Sequence, residues 1–157
     1  MESRFEKRTL YIQDNAGHYL NKFGIMESTG NKISWNWCAF FFTSTWMIYR
    51  KMYKPAIFVM IIEYLAIPFL AALFSGSFIL GTLTTSIGSS LSLAVSILLG
   101  LFGNYIYMKH IDELMDKEPF DDQFGYQQKY GGISWKLVVI FIIIGNILSL
   151  AVEKVLF

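Results

Sequence analysis

The stretch from Pro55 to Tyr107 contains one charged residue, Glu63, and this run constrains the fold more than any other feature of the chain. A helix crosses the hydrocarbon layer of a membrane with roughly 20 apolar residues, so the run is long enough for two crossings. A further apolar run covers residues 133–152. The sequence therefore predicts an all-α integral membrane protein with three full transmembrane helices, over residues 55–74, 87–107 and 133–152.

A shorter apolar block precedes the first predicted crossing. Residues 33–49 are apolar on nearly every side, but the block is at the lower length limit for a crossing and contains Asn36 and several hydroxyl side chains. Its Trp and Tyr residues are typical of the boundary between membrane and water. We expect an aromatic interfacial or re-entrant helix here, with a fourth span as the alternative.

These runs divide the chain into segments. Apolar residues at helical spacing predict one amphipathic helix over residues 5–23, followed by a loop over 24–32. This helix either packs on the rest of the protein or lies on the membrane surface. The predicted segments are a cytoplasmic amphipathic helix and loop (1–32), the aromatic helix with a basic cluster (33–54), a hairpin of two spans (55–107), an acidic cytoplasmic helix extension and loop (108–132), and the last span with a short outer tail (133–157).

The charge distribution predicts the orientation. The formal net charge is +1, from 13 basic and 12 acidic residues, so no strong positive field indicates nucleic-acid binding. Lys and Arg are absent from residues 55–107 and present on both sides of this run. Because basic residues collect on the cytoplasmic side of a membrane, we expect residues 50–54 and 108–136 to be cytoplasmic. Residues 75–88 and the C-terminus are then outside.

Glu63 is the sharpest candidate for chemistry. It lies near the middle of the first predicted span, where a charged carboxylate is costly and needs a partner or a proton. Pro68 leaves the carbonyl of Tyr64 without its helical donor. We expect an intramembrane polar site in which Glu63 bonds to Asn104 or Asn146. Such a site is either a packing contact or a proton or ion relay.

Two further patterns involve small and basic residues. Small residues at every fourth position allow two helices to approach closely, and in the second span we expect this packing stripe to be formed by Gly88, Ser92, Ser96 and Gly100. A basic cluster precedes the first span and is expected to fix topology, to bind anionic lipid headgroups, or both; it consists of Arg50, Lys51 and Lys54. The acidic stretch over residues 112–122 is expected to be a solvated surface that faces a partner.

The remaining chemistry-bearing residues form no recognisable site. Cys38 is the single cysteine, and His18 and His110 lie far apart in sequence, so we expect no metal site and no cofactor. The sequence contains no nucleophile–base pattern and no phosphate-binding loop. We therefore expect no enzymatic activity.

The sequence resembles a family of small bacterial integral membrane proteins catalogued as a domain of unknown function. The most specific mark is the aromatic block WNWxAFFFxxxWxxYRKMY at Trp35–Tyr53. Weaker marks are YIxxNxxxYLxKF, GNxxYxxH and KYGGIS, at Tyr11–Phe23, Gly103–His110 and Lys129–Ser134. The resemblance implies a multi-pass protein of the bacterial cytoplasmic (inner) membrane and supplies no catalytic residue.

Three functions are compatible with these features. The first is a non-enzymatic accessory protein that binds other membrane proteins or its own copies, with the lipid bilayer as its other contact. The second is an oligomeric proton or small-ion transporter or channel around Glu63. The third is a membrane immunity or stress-protection factor.

Overall fold

The computed structural model describes the backbone of residues 3–73 and 78–156, without the side chains of residues 71–73, 78–88, 148–149, 152–153 and 155–156. Every regular element in these ranges is helical. The elements are α1 (Arg4–Ile12), α2 (Ala16–Thr29), α3 (Trp37–Tyr49), α4 (Tyr53–Ile61), a π-helical turn (Ile62–Ala66), α5 (Ile67–Leu73), α6 (Phe78–Asp116), α7 (Gln123–Tyr130) and α8 (Trp135–Leu156).

Three helical segments are long and apolar enough to cross a membrane, as the sequence predicts. They are Tyr53–Leu70, Ser89–Asp116 and Gln123–Ile147. The third segment includes the polar helix α7, and its apolar part is α8. Only 17%, 33% and 28% of the most apolar stretch of each segment is buried inside the protein, so most of their apolar side chains face outward. Such exposure is unfavourable in water and favourable in lipid.

The N-terminal region forms two helices rather than the single helix predicted over residues 5–23. Ser3 and Glu6 form a capping box at the start of α1. The chain turns between the helices, where Gln13 and Asn15 have φ values of 54° and 60°. Asn adopts this left-handed conformation more readily than most residues. The predicted loop over residues 24–32 is also wrong in its first part, because α2 continues through Gly24 and ends before Gly30 at φ 70°.

Helix α3 is broken in its middle. Thr43 has φ 37° and ψ −115°, which no helical residue adopts. The chain enters α3 through an extended segment that is hydrogen-bonded to α6. The amide of Ser34 donates to the carbonyl of Leu101 at 2.9 Å, and the amide of Asn36 donates to the carbonyl of Gly100 at 2.7 Å. A β-branched residue at positive φ is strained, so the surrounding packing must hold it there.

The other predicted boundaries are met in part. The second predicted span does continue as a helix beyond Tyr107, as far as Asp116. The predicted outer loop at 75–88 is mostly helix, since α6 begins at Phe78. Gly, Ser and Thr have weak helix propensity. In apolar surroundings this preference is outweighed, because a helix gives every peptide group a hydrogen-bond partner. The loop predicted within residues 108–132 contains α7, whose first turn is capped by the Asp122 side chain, which accepts from the amide of Gly125 at 3.0 Å.

The core lies where α1, α2 and α3 pack against the second half of α6. It is rich in aromatic side chains, whose rings meet edge to face; the ring centroids of Tyr19 and Tyr107 are 4.9 Å apart. The largest fully buried side chains are Tyr11, Ile12, Phe23, Met47, Met52, Tyr107 and Ile111. We call α1, α2, α7 and the residues 119–122 that precede α7 the cap, because α1 packs on α2, α6 and α7 at one end of the spans.

Candidate functional site

Glu63 lies in the π-helical turn of the first candidate span. The amide of Ile67 donates back to the carbonyl of Ile62 across this turn, and the turn ends beside Pro68, which has no N–H to continue a regular helix. The Ser44 hydroxyl donates to Glu63 Oε2 at 2.8 Å, and Ser44 is buried. Since Ser44 follows the break at Thr43, two irregular points of the backbone meet at one hydrogen bond.

Asn104 is fully buried and bonds to the entry of α3 rather than to Glu63. The Asn36 side chain donates to Asn104 Oδ1 at 2.8 Å. Asn104 Nδ2 in turn lies 3.1 Å from the Ser34 hydroxyl oxygen and 3.2 Å from the Ser34 carbonyl oxygen. Asn36 also caps α3 by accepting from the amide of Ala39 at 3.0 Å. Asn104 therefore positions the start of α3.

Asn146 is exposed and donates to the carbonyl of Ile142 in its own helix at 2.8 Å. The predicted polar site of Glu63, Asn104 and Asn146 therefore does not form as expected, because none of the three side chains bonds to another. The sequence gives the depth of these residues along their helices, but it does not give the direction that each side chain takes.

The predicted basic cluster separates into three environments. Arg50 is 4% exposed, and its guanidinium lies 4.5 Å from the ring centroid of Tyr19 and 5.4 Å from that of Tyr107. Such cation–π contacts are stronger where water is excluded. Arg50 Nη1 also donates to the carbonyl of Asp14 at 3.0 Å. Arg50 is thus buried between the aromatic rings of α2 and α6.

Lys51 and Lys54 behave differently from Arg50. Lys51 Nζ donates to the backbone carbonyl of Lys129 at 3.1 Å, at the C-terminus of α7, where a positive charge is favourable. Lys54 is exposed. The structure therefore leaves Lys54 as the member of the predicted cluster that is free of these inward contacts.

The close approach of α6 to α3 is shifted from the predicted stripe. A methyl group added at Gly100 would lie 3.1 Å from Phe40 Cβ, and one at Gly103 would lie 2.7 Å from Ala39 Cβ. Ser92 is exposed, Ser96 is half-buried, and Gly88 lies outside the described side chains. The contact therefore involves Gly100 of the stripe together with Gly103, which does not fall on the four-residue spacing.

Ion pairs tie the cap to the end of α6. Arg8 is 4% exposed; its Nη2 lies 2.8 Å from Asp112 Oδ1 and 2.7 Å from Glu27 Oε1. Lys7 pairs with Glu118, which also accepts from the hydroxyl of Tyr11 at 2.9 Å. The prediction that the whole acidic stretch is solvated is therefore wrong at Asp112 and Glu118, which pair with α1. We call these residues (Lys7, Arg8, Glu27, Asp112 and Glu118) the ion-pair cluster.

The pKa values within the ion-pair cluster follow from these contacts. Hydrogen bonds from Arg8 lower the pKa of Glu27 and outweigh its partial burial. Burial raises the pKa of Glu118, but hydrogen bonds from Lys7, Gln127 and Tyr11 outweigh burial, so the pKa is lowered. Both carboxylates are held in the charged form.

Two large apolar side chains project from the cap. Phe120 is 91% exposed and Phe124 is 78% exposed. Asp116, Asp121 and Asp122 are exposed nearby in sequence. An exposed aromatic pair is costly in water, and such exposure marks sites of interaction.

Several of these residues were not singled out from the sequence. The burial of Arg8 could have been predicted from the sequence, because Arg8 lies one helical turn before the apolar residue Ile12, on the buried side of α1. The role of Asn36 could also have been predicted, because Asn before an apolar run is typical of a helix N-cap. The position of Ser44 could not, since the break at Thr43 that turns it toward Glu63 lies in a sequence without Gly or Pro.

A family model described as "Protein of unknown function (DUF2628)" matches residues 3–112, more than two thirds of the chain. The match confirms the resemblance to a family of unknown function. The match covers the aromatic block and the cap helices α1 and α2. No curated protein and no solved structure matches the chain.

Proposed function

The chain belongs to the DUF2628 family of proteins of unknown function, and we propose that it is a non-enzymatic accessory protein of the bacterial inner membrane. In this proposal three helices cross the bilayer, α3 enters it without crossing, and the cap binds a partner protein on the cytoplasmic side.

The contacts of α3 support a re-entrant helix over a fourth span. The chain enters α3 at the carbonyl of Gly100 and leaves it at Arg50, whose guanidinium lies 5.4 Å from the ring centroid of Tyr107. Seven residues of α6 separate these contacts, or about 10 Å at 1.5 Å per residue. A crossing needs about 30 Å. This short separation supports a topology in which both ends of α3 lie on the same side of the membrane.

The ion-pair cluster supports the same topology independently. Arg8 and Lys7 in α1 pair with Asp112 and Glu118, which follow the second candidate span. These pairs support a topology in which the N-terminal region lies on the same side as residues 108–132. Both regions carry Lys and Arg, whereas residues 55–107 carry neither, and this contrast favours the cytoplasmic side for both regions.

The observation that carries the proposed partner binding is the exposure of Phe120 and Phe124 on the cap. Their acidic surroundings disfavour contact with an anionic lipid surface and favour a partner whose contact segment is apolar and basic. A protein segment with one apolar face flanked by Lys or Arg meets both requirements. The proposed partner is therefore another protein, held at the membrane beside this one.

The proposal is tested by placing a photo-crosslinking amino acid at position 120 in living cells. We expect a discrete adduct with one protein, and no such adduct from position 28, where exposed Ser28 lies on a different helix, α2. The double variant Phe120→Ser, Phe124→Ser, with the crosslinker moved to exposed position 121, should lose the adduct while retaining wild-type melting. Equal adducts from positions 28 and 120, or an adduct that survives the double substitution, would contradict the proposal.

A second candidate, transport of protons or small ions, is supported by one feature. Glu63 lies in a π-helical turn and bonds to Ser44 beside a break in α3. Broken helices around a charged side chain are a recurring feature of ion sites in transporters. The packing role remains our preferred account, because Asn104 and Asn146 bond elsewhere.

A further inference from the structure

A cavity of about 440 Å³ lies between the start of α2, the helix α3 and the first turns of α8. This size falls within the roughly 300–1,000 Å³ that is usual for sites of small ligands. None of the residues of the ion-pair cluster or of the exposed phenylalanine pair lines it. The cavity is therefore separate from both of these features.

The polar end of the cavity combines a buried cation with an exposed carboxylate. Arg50 and Asp14 both line it, with Arg50 Nη2 3.9 Å from Asp14 Oδ2. This distance is too long for a hydrogen bond, so the two charges face one another without a direct bond. Arg50 Nη1 donates to the Asp14 carbonyl at 3.0 Å, and the Tyr49 hydroxyl lies 3.5 Å from Asp14 Oδ2. Arg50 Nε is itself buried and has no hydrogen-bond partner within the described part of the chain, so Nη2 is the guanidinium nitrogen nearest to Asp14 Oδ2.

The other end of the cavity is apolar and opens toward the outward face of the helices. Phe42 on α3 and Ile142 on α8 line it and are 59% and 47% exposed. Cys38, which is also exposed, lies on the same wall. From Trp135 to Ile142 the wall formed by α8 extends about 10 Å at 1.5 Å per residue. The cavity thus joins a charged pair to a lipid-facing apolar groove.

We propose that this cavity binds one phospholipid whose headgroup carries both a phosphate and a primary ammonium group. The phosphate binds Arg50, the ammonium binds Asp14, and one acyl chain lies in the groove between α3 and α8. Guanidinium groups are suited to phosphate because they present several donors in a fixed plane. An anionic lipid without an amine would leave its negative charge beside Asp14, and a lipid without a phosphate would offer Arg50 no anionic group in addition to Asp14.

This assignment rests on the three candidate spans and on the cavity, and not on the proposed partner surface. The polar end adjoins Trp135, the first residue of α8, and Trp is enriched at the headgroup level of membranes. The charged pair is therefore placed at the height of lipid headgroups, and the apolar end at the height of acyl chains.

The occupant is tested first by mass spectrometry of the intact protein released from detergent. Wild-type protein incubated with phosphatidylethanolamine should retain one lipid per chain. Ile142→Trp fills the groove and should retain none, whereas Ile143→Trp, at an exposed position of α8 that does not line the cavity, should retain one. Failure of the wild type to retain lipid, or retention by the Ile142→Trp variant with wild-type melting, would overturn the proposal.

The headgroup is tested with Cys38, the only cysteine of the chain, as a reporter. Phosphatidylethanolamine should slow the reaction of Cys38 with N-ethylmaleimide in delipidated wild-type protein, and phosphatidylglycerol should be less effective. Asp14→Asn should reduce the preference for phosphatidylethanolamine over phosphatidylglycerol roughly threefold, because exposed charge pairs contribute modestly to binding free energy. Asp121→Asn, a change of the same kind on the cap, should leave it unchanged. Equal protection by a free fatty acid or by phosphoethanolamine, or a preference unaffected by Asp14→Asn, would overturn the assignment.

Discussion

Arg8 shows how a buried charge can be kept in this fold. Burial disfavours the charged form of Arg8, but hydrogen bonds to Glu27 and Asp112 outweigh it and raise the pKa. Both partners come from other helices, so the charge is balanced when α1, α2 and α6 are assembled. Removing one member of such a buried pair costs more than the pair contributes in total, because the other charge is left unmatched.

We expect Arg8→Ala to lower the free energy of unfolding by about 3 kcal/mol, because Asp112 stays buried without its partner. The matched control is Lys117→Ala, which removes a solvent-exposed pair with Glu113 and should cost less than about 1 kcal/mol. Both values are measured by denaturant titration in mild detergent. Equal costs for the two variants would show that the Arg8 pair is as solvated as the Lys117 pair.

The role of Glu63 can be separated by two substitutions. Glu63→Gln keeps an oxygen acceptor for the Ser44 hydroxyl, so stability should be unchanged, whereas Glu63→Leu should cost about 1–2 kcal/mol through the lost bond between helices. Melting in detergent measures both. Proton flux in liposomes that is present in the wild type and absent in a folded Glu63→Gln variant would favour transport over packing.

The sequence predicts Glu63 as an unusual residue but not its partner. One carboxylate in an uncharged run is visible in the sequence, and so is its depth in the helix. The partner depends on where α3 breaks and on which helix each Asn faces. Asn104 is already bonded to Asn36 and Ser34. Such choices depend on packing between distant parts of the chain.

At the scale of elements, the crossing of α3 and α6 depends on residues without bulk. We expect Gly103→Ala to cost about 1–3 kcal/mol, because overpacking a close contact forces backbone shifts. The added methyl group would lie 2.7 Å from Ala39 Cβ, and both atoms are fixed by the backbone. Ser92→Leu serves as the control at an exposed position of the same helix, and it should change melting little. Similar losses in both variants would contradict the assigned contact.

The attachment of the cap is expected to depend on pH. The folded pKa values of Glu27 and Glu118 lie below the ordinary value of 4.5. Their contribution to stability is therefore complete above this value, and it is lost as the pH falls through the lower folded values. Spin labels at Ser28 and Lys109 in a Cys38→Ser background should report a narrow distance distribution near neutral pH. That distribution should broaden below about pH 4. A distribution that is unchanged in acid would contradict the role of these carboxylates.

Helices are easier to predict here than the points where they break. The three apolar runs appear as candidate spans because hydrophobicity alone determines them. The break at Thr43 carries no Gly or Pro, and the turn between α1 and α2 carries Gln13 and Asn15, which also occur in regular helices. These breaks arise because α1, α2 and α3 must each pack against α6. The hydrophobic pattern of one segment therefore does not predict where its helix breaks.

At the scale of the whole molecule, polar and apolar features separate along the length of α6. Its Ser89–Asp116 segment is apolar enough to cross a membrane, and its end carries Asp112, which holds the cap. The cap, the ion-pair cluster and the entry of α3 all meet the second half of α6. A single helix therefore connects the lipid-facing part of the protein to the proposed partner surface, and its orientation determines the side on which the cap lies.

That orientation is tested with single cysteines introduced into a Cys38→Ser background and labelled with an impermeant maleimide in intact cells. If α3 is re-entrant, tags at Ser28 and Gln123 lie on the same, cytoplasmic side and label only after lysis. A tag at Ser77, which lies outside the described residues, should label in intact cells, because an odd number of crossings separates it from Gln123. Labelling of Ser28 together with Ser77 in intact cells would mean that α3 crosses the membrane. It would also contradict the ion-pair cluster, because Arg8 and Asp112 would then lie on opposite sides.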